Sequence, residues 1–291
     1  MRIAELFQRK RPVFSFELFP PKTDEGVEAL YRTVANELAP LEPDFISVTY
    51  GAGGSTQRLT VELVSTIKRQ FGIETMCHLT CVGHSATELA SVLDRVRDEG
   101  IENVLALRGD PPRGQAQFER AAGGFAYGQE LARFIRSRYD FCLGGGCYPE
   151  VHPDCADTGE DLRHLREKVD SGVEFLITQL FFEPAVYFEF ADRARRAGIT
   201  VPIVPGVLPV LSLAQIERFT SLCGASIPAR LRARLEACPD DEAATQAGVE
   251  WATQQCAALL EGGAPGIHFY ALNRAGSVRA ILSELGCAAA A

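Results

Sequence analysis

The segment FSFELFPPK, residues 14–22, places an acidic residue, Glu17, in the middle of an apolar, strand-like run. A carboxylate buried without a partner is costly, and burial favours the protonated form of the group. A carboxyl group that keeps its proton near neutrality can act as a general acid. We therefore interpret Glu17 as a candidate proton donor inside a ligand site.

Polar side chains also occur where other apolar runs end. Arg108 and Asp110 follow one run, and His78 alternates with apolar residues and cysteines in another. The remaining polar residues in such positions are Thr49, Thr80, Tyr148, His152, Gln179, Asn273 and Arg274. Taken singly, a strand-end histidine or glutamine is more often a satisfied hydrogen-bonding residue, and Asp110 can equally be a turn residue paired with Arg108. Together with Glu17, these residues indicate a site.

Eight apolar runs of strand length can position these residues. They cover 13–19, 44–51, 74–81, 103–109, 140–147, 175–182, 203–209 and 266–273. Segments with helical spacing lie between them, and two of these, 87–100 and 160–172, finish at a glycine, the usual C-terminal stop. Eight β–α units predict a (β/α)8 TIM barrel of the α/β class, formed by one domain over residues 1–291 with extra helices in 210–265. An open doubly wound sheet is the alternative, but no GxGxxG motif follows the first run.

A TIM barrel places its active site at the carboxyl ends of the strands. Because neighbouring side chains in a strand point to opposite faces, we expect His78 and Thr80 to face the interior and Cys77 and Cys81 to pack under the helices. The glycines of TYGAGGST, residues 49–56, can cradle a phosphate with backbone N–H groups or simply form a flexible loop.

Composition excludes several classes of function. The net charge of −9 and the lack of a basic cluster argue against nucleic acid as a partner. No apolar run reaches the roughly 20 residues of a membrane helix, and the first ten residues lack the apolar core of a secretory signal. Nine scattered cysteines indicate free thiols in a reducing cytoplasm. Cys147, His152 and Cys155 match no paired zinc-ligand spacing, so no metal is expected.

Nine segments, in order along the chain, resemble the methylenetetrahydrofolate reductase family. They are FSFELFPPKT (14–23), FISVTYGAGGST (45–56), HLTC (78–81), ALRGDPP (106–112), YPEVHP (148–153), DLRHLREKVDSG (161–172), ITQLFF (177–182), PIVPGVLPV (202–210) and HFYALNR (268–274). The resemblance covers essentially the whole chain and implies the same barrel fold. It is far more specific than any one motif.

The resemblance implies an enzyme of one-carbon metabolism and methionine biosynthesis. Such an enzyme holds FAD at the strand ends and uses NADH or NADPH to reduce 5,10-methylenetetrahydrofolate to 5-methyltetrahydrofolate. Residue-by-residue matching gives the flavin-contacting set Thr49, Tyr50, Ala52, His78, Arg108, Gly109, Asp110, Tyr127, Gly128, Tyr148, His152, Cys155, Asp161 and Lys168. The implied folate and nicotinamide contacts are Glu17, Asp110, Gln179, Gln215, Phe219 and Arg274.

The resemblance also implies a mechanism. Glu17 would protonate a departing ring nitrogen of the folate, and Asp110 would stabilise the resulting 5-iminium cation. The donor must leave before folate enters the same face, which predicts ping-pong kinetics. Cys147 stands where the family commonly has a smaller residue. The chain ends soon after its eighth helix, so we expect a bacterial-type enzyme that S-adenosylmethionine does not inhibit. Because the family is usually oligomeric, the resemblance also implies a homo-oligomer.

Two other functions remain open at this point. A zinc-dependent barrel methyltransferase would bind a pterin without flavin, although only Cys147 occupies a suitable strand end. A non-catalytic folate- or flavin-binding protein would tolerate the loss of the Glu17 carboxyl group. Bound FAD is yellow, so a visible spectrum separates the first alternative, and a Glu17→Gln variant separates the second. The choice between NADH and NADPH is open, because no residue that reads the ribose can be identified.

Overall fold

Parallel strands alternate with helices along the whole chain in this computed structural model, which describes residues 1–51, 56–110 and 118–287. Within these residues, nine strands form one sheet in the order β7-β6-β5-β4-β3-β2-β1-β9-β8. The strands are β1 Val13–Leu18, β2 Phe45–Val48, β3 Glu74–Thr80, β4 Asn103–Leu107, β5 Cys142–Cys147, β6 Phe175–Thr178, β7 Ile203–Val204, β8 Gly206–Val207 and β9 Gly266–Tyr270. Each pairing is parallel, and the sheet curls into the predicted TIM barrel.

Pro205 divides the seventh predicted strand into β7 and β8. Val204 pairs with β6 on one side, and Gly206 pairs with His268 of β9 on the other. Proline has no N–H group to donate to a ladder, so pairing breaks at this residue. Its carbonyl still accepts a hydrogen bond from His268 N at 2.9 Å. The two short strands therefore act together as one stave, which closes the ring between β6 and β9.

The helices follow the strands and cover the outside of the barrel. They are α1 Ile3–Arg9, α2 Asp24–Thr33, α3 Gln57–Phe71, α4 Ala86–Asp98, α5 Gly128–Arg138, α6 Thr158–Asp170, α7 Pro184–Arg196, α8 Leu213–Cys223, α9 Ala229–Glu236, α10 Asp241–Glu261 and α11 Gly276–Glu284. A π-helical turn, Val34–Leu38, and a 3-10 turn, Ala39–Leu41, extend α2. Within the described ranges, no helix is long and apolar enough to cross a lipid bilayer.

Helix boundaries follow local chemistry. The Ser85 side chain accepts a hydrogen bond from Glu88 N, and the Glu88 carboxylate accepts one from Ser85 N, which forms a capping box at the start of α4. Asp157 accepts hydrogen bonds from two N–H groups in the first turn of α6. Gly72 ends α3 in the left-handed region. The caps at Ser85 and Asp157 fix where α4 and α6 start after their strands, and Gly72 fixes where α3 ends before β3.

The base of the barrel is closed by α1. Ile3, Leu6 and Phe7 lie on one face of this helix and pack in a cluster with the inward residues at the lower ends of the strands. The Phe7 ring lies 5.7 Å from the ring of Phe175. A second, larger cluster fills the layer between the strands and the outer helices. The interior is therefore apolar at its base, and its polar residues lie toward the mouth.

The observed strands are shorter than several predicted runs at their carboxyl ends. The run predicted over 175–182, for example, leaves the sheet after Thr178. Its later residues Leu180 and Phe182 are buried in a third cluster with α8, α9 and α10. Burial outside the sheet keeps these positions apolar, so composition alone extends the strand too far.

Candidate active site

Glu17 lies inside the barrel near the mouth, with only 7% of its surface exposed. Its Oε2 atom is 3.5 Å from His78 Nε2 on β3 and 3.5 Å from His268 Nε2 on β9. On the far side of the His268 ring, Nδ1 lies 2.7 Å from Ser15 Oγ. Strand β1 therefore carries both Glu17 and the Ser15 hydroxyl group that contacts His268.

Strand alternation explains this arrangement. Ser15 and Glu17 are two residues apart in β1 and face the interior, while Phe16 and Leu18 belong to the outer cluster. In β3, Cys77 and Leu79 likewise belong to the outer cluster, which leaves His78 for the interior, as predicted. One strand thus supplies apolar residues to the helix layer and polar residues to the site.

Burial keeps the His78 imidazole neutral. Desolvation lowers the pKa of His78 from 6.5 to about 4; the nearby Glu17 opposes this shift and His268 adds to it. Burial raises the pKa of the adjacent Cys77 thiol to about 12, so this outward cysteine is a packing residue. Among the described residues, His78 Nε2 has no hydrogen-bond partner, and Thr80 Oγ1 and Ser47 Oγ also have none. A polar ligand bound at the mouth would supply hydrogen-bond partners for these buried atoms.

Beyond β4, the chain turns sharply through Gly109. Its φ of +87° lies in the left-handed region, and a Cβ atom there would come within 2.7 Å of Thr80 and Val82. The preceding Arg108 donates to Asp154 at 2.7 Å and lies 5.4 Å from the centre of the Phe118 ring. Asp110 is exposed and is the last residue described before 118. The turn brings backbone and guanidinium to the mouth of the barrel.

The loop after β5 brings two aromatic rings to the mouth. Tyr148 and His152 meet edge to face with ring centres 4.5 Å apart. Burial raises the pKa of Tyr148 to about 12, and the Asp110 carboxylate contributes to the shift. Burial, together with the charge of Arg108, lowers the pKa of His152. In the chain between these two residues, Val151 has a φ of +87°, which is rare for a β-branched residue.

A half-buried cation, Lys168 of α6, contacts the strand that leads into this loop. Lys168 Nζ donates to the Gly146 carbonyl at 2.6 Å, and burial lowers the pKa of the ammonium group. Burial raises the pKa of Asp161, whose Oδ1 lies 3.8 Å from Cys155 Sγ. The Cys155 thiol has its pKa raised to about 11, first by burial and then by Asp161. The thiol therefore stays protonated near neutrality.

The remaining described residues matched to flavin contacts lie directly after β2 or at the start of α5. Gly128 packs tightly on β4, because a Cβ there would lie 3.3 Å from Arg108 N. Tyr127 is 47% exposed. Tyr50 Oη lies 3.4 Å from His84 Nε2, and Thr49 N donates to the Leu18 carbonyl. Ala52 and most of the glycine loop fall outside the described residues.

The other residues matched to substrate contacts lie after β6, in α8 and after β9. Gln179 Oε1 accepts a hydrogen bond from Leu180 N, and the Gln179 side chain slightly opposes the rise in the Tyr148 pKa. Gln215 Oε1 accepts one from Leu211 N, whereas its buried Nε2 has no partner in the described ranges. Gln215 and the exposed Arg274 share a cavity of about 460 Å³. Phe219 is half-buried nearby, in the cluster of α8–α10.

Cys147 does not face this mouth. It belongs to the outer cluster, and its Sγ lies 3.6 Å from the Ile177 carbonyl. Residues 1–51, 56–110 and 118–287 contain no group of three His, Cys, Asp or Glu side chains arranged to hold a metal ion. The cysteine that suggested a zinc-dependent methyltransferase is therefore a packing residue.

Ser15, His268 and Tyr270 also face the site, although they were not among the predicted site residues. Ser15 and His268 lie within their strands, before the strand ends at which polar residues were sought, and Tyr270 is the last residue of β9. A signal was available, because Ser15 is two residues before Glu17, and His268 is two before Tyr270. Applying the two-residue alternation of β1 and β9 would have placed all four on the inner face.

Comparison with known proteins gives the family. The family model described as methylenetetrahydrofolate reductase matches residues 2–286. The chain belongs to the methylenetetrahydrofolate reductase family. It is 36% identical over 273 residues to 5,10-methylenetetrahydrofolate reductase of Escherichia coli strain K12, covering 94% of this chain and 90% of that protein. A probable methylenetetrahydrofolate reductase (NADH) of Oryza sativa subsp. japonica is 40% identical over 297 residues, which cover 98% of this chain.

This family member spans about half the length of the plant relatives, 50% in the case of the rice protein. Among solved structures, an uncharacterized protein from Clostridium thermocellum that binds two copies of 5-methyl-5,6,7,8-tetrahydrofolic acid matches with a TM-score of 0.66. The match covers 98% of this chain and 97% of that one at 17% identity, and at that level it shows the shared fold alone.

Proposed function

We propose that the protein catalyses the FAD-dependent reduction of 5,10-methylenetetrahydrofolate to 5-methyltetrahydrofolate. NADH or NADPH would be the donor, the kinetics would be ping-pong, and Glu17 would be the general acid. The observation that carries this proposal is the buried Glu17 carboxyl group, which lies inside the barrel between two imidazoles. Membership of the reductase family supplies the reaction class.

The residues at the mouth fit FAD. Thr80 Oγ1 and His78 Nε2 are buried and lack partners among the described residues, and Gly109 allows the backbone to approach without a side chain. Arg108 and Lys168 provide two cations for an anionic dinucleotide. The other residues proposed to hold the flavin are Thr49, Tyr50, Ala52, Asp110, Tyr127, Gly128, Tyr148, His152, Cys155 and Asp161. When bound, FAD would carry two electrons from the nicotinamide to the folate.

The chain's own groups would then divide the acid–base work. Glu17 donates a proton to the departing ring nitrogen of the folate, and Asp110 offers a negative charge to the cation that forms. Gln179, Gln215, Phe219 and Arg274 would orient the folate and the nicotinamide. The neutral His78 ring can lie beside Glu17 without adding a positive charge to the site.

Single-domain organisation, a homo-oligomeric state and a cytoplasmic location belong to the same proposal. The nine free cysteines support a reducing compartment. Because the rice, maize and Arabidopsis relatives carry NADH in their names, we expect NADH to be the better donor.

An anaerobic half-reaction experiment tests the proposal. The purified protein should be yellow, should bleach on addition of NADH, and should recover its colour on addition of 5,10-methylenetetrahydrofolate. Glu17→Gln should still bleach but should recover at least about 100-fold more slowly, since general acids contribute about 10²–10⁴ in rate.

Glu74→Gln is the matched control, because Glu74 is a largely buried carboxylate at the opposite end of the same barrel, paired with Met1 and Lys68. We expect this variant to perform both half-reactions at parent rates. A colourless protein would refute the FAD assignment. Recovery of Glu17→Gln at the parent rate would refute the acid assignment.

A further inference from the structure

The side chain of Asn273 joins two segments at the barrel mouth. Its Oδ1 atom accepts a hydrogen bond from Phe19 N at 2.8 Å, and its Nδ2 atom donates one to the Phe19 carbonyl, also at 2.8 Å. Phe19 directly follows β1 and Asn273 follows β9, so the contact links residues 254 positions apart. A side-chain amide offers the same acceptor and donor as a peptide group. The Asn273 side chain therefore pairs with Phe19 as a residue of a neighbouring strand would.

The main chain after β9 turns away from β1 just before this contact. Ala271 N still donates to the Glu17 carbonyl at 3.2 Å. Leu272 and Asn273 then have positive φ, +51° and +60°, and Arg274 N donates to the Ala271 carbonyl at 2.9 Å. Two successive residues with positive φ, closed by such a bond, are typical of a type I′ turn. The Asn273 amide thus continues the pairing with β1 where the backbone has left it.

This turn is demanding for one of its residues. Asparagine tolerates the left-handed region, whereas leucine adopts it rarely. Leu272 is nevertheless held there, where it packs against the cluster of α8–α10. Strained backbone that the surrounding structure enforces is characteristic of ligand sites. The residue that this turn presents is Arg274, which is exposed and lines the same cavity as Gln215.

We propose that Asn273 is a positioning residue that fixes Arg274 for substrate binding. This inference rests on the proposed function, in which Arg274 orients the folate. An exposed arginine is directed mainly by the backbone that carries it, and here that backbone is anchored to the end of β1 through Phe19. Arginine recognises carboxylates with its planar set of N–H donors. Holding it in place in advance lowers the cost of ordering it when a carboxylate-bearing ligand binds.

A double-mutant cycle on folate binding tests whether Asn273 acts through Arg274. Asn273→Gly removes both hydrogen bonds but keeps a backbone that adopts positive φ. In a calorimetric titration with 5-methyltetrahydrofolate, we expect the dissociation constant to rise about tenfold in Asn273→Gly and at least about tenfold in Arg274→Met. The double variant should bind no more than about twofold more weakly than Arg274→Met, because both changes remove the same contact. Additive losses would refute the positioning role.

Kinetics should show the same division. The folate half-reaction of Asn273→Gly should need more 5,10-methylenetetrahydrofolate, but its rate constant at saturation should stay within about twofold of the parent value, because Glu17 is held by its own strand. A fall in the saturated rate with unchanged affinity would contradict the inference.

Two variants separate the amide from general effects on the backbone. Asn273→Asp keeps an acceptor for Phe19 N and tolerates positive φ but lacks the donor, so we expect an affinity between those of the parent and Asn273→Gly. Glu42→Gly is the matched control, because it places glycine at another position with positive φ, +50°, before the amino end of β2. It should bind 5-methyltetrahydrofolate as the parent does. An equal loss of affinity in Glu42→Gly would overturn the assignment.

Hydrogen exchange tests the amide contact without any substrate. The Phe19 N–H group should exchange at least about tenfold faster in Asn273→Gly than in the parent, because its acceptor is lost. Equal exchange would overturn the inference, whether or not the protein binds folate. If Asn273→Gly does not fold, the same cycle with Asn273→Asp decides the question. A parent protein that does not bind 5-methyltetrahydrofolate would instead refute the proposed function.

Discussion

His78 should make the protein lose stability as the pH falls through the weakly acidic range. The folded protein holds this imidazole neutral with a pKa of about 4, whereas the unfolded chain has the ordinary value of 6.5. Between these two values the unfolded chain binds a proton that the folded protein does not bind. Stability therefore rises with pH across this window, is fully present above about pH 6.5, and is lost as the pH falls toward 4.

The size of the effect follows from the two pKa values. At about 1.4 kcal/mol per pH unit, a fall from 6.5 to about 4 corresponds to about 3 kcal/mol of unfolding free energy. His78→Gln removes the titrating group and keeps an amide of similar length. Urea unfolding of the parent and of His78→Gln at several pH values should show the parent losing about 3 kcal/mol more than the variant between pH 6.5 and 4.

Two controls isolate this contribution. His164→Gln, on the surface of α6, should keep the pH dependence of the parent. Repeating the comparison in a Glu17→Gln background removes the coupling between His78 and the neighbouring carboxyl group. Parallel curves for the parent and His78→Gln would refute the reasoning, because they would mean that the ring is not held neutral by burial.

Three further substitutions test the mouth of the barrel. Gly109→Ala should lower the unfolding free energy, measured in urea, by about 2 kcal/mol, because its Cβ meets Thr80 and Val82 at 2.7 Å. Gly123→Ala, also at positive φ but with open space around its Cβ, should lower it by only about 1 kcal/mol. Equal losses would contradict the steric argument. Lys168→Met should raise the dissociation constant of FAD about tenfold or more in a fluorescence titration of the apoprotein, since a hydrogen bond to a charged group contributes about 1.5–3 kcal/mol; unchanged affinity would remove Lys168 from the flavin site. Val151→Gly should raise the unfolding free energy of the apoprotein by about 1 kcal/mol, because glycine adopts φ of +87° without strain; a loss of stability would mean that Val151 packing outweighs its backbone strain.

The barrel fold and the inward direction of His78 could be predicted from the sequence, although the seventh of the eight predicted strands is divided into β7 and β8. Apolar runs bounded by turn residues mark the staves, and two-residue alternation directs His78 inward and Cys77 outward. Alternation depends only on the local geometry of a strand, so the sequence is enough to predict which side chains share a face. The carboxyl ends of the strands could not be predicted, because Leu180 and Phe182 are as apolar as strand residues but are buried by α8–α10.

The sequence alone could not predict contacts between strands that are far apart along the chain. The meeting of Ser15 with His268 joins residues 253 positions apart and depends on the pairing of β1 with β9, which closes the barrel. Helix α1 was not predicted either, although Ile3, Leu6 and Phe7 have helical spacing. Only the closed ring shows that such a helix has an open base to cover.

With α1 covering the base, the described part of the barrel leaves Glu17 a single entrance at the carboxyl ends of the strands. Under the proposed ping-pong kinetics, the two reactants would use that entrance one after the other. Each departing molecule leaves by the path on which the next arrives. The turnover rate can then be no faster than the slowest release of a product, however fast the chemical step inside the barrel is.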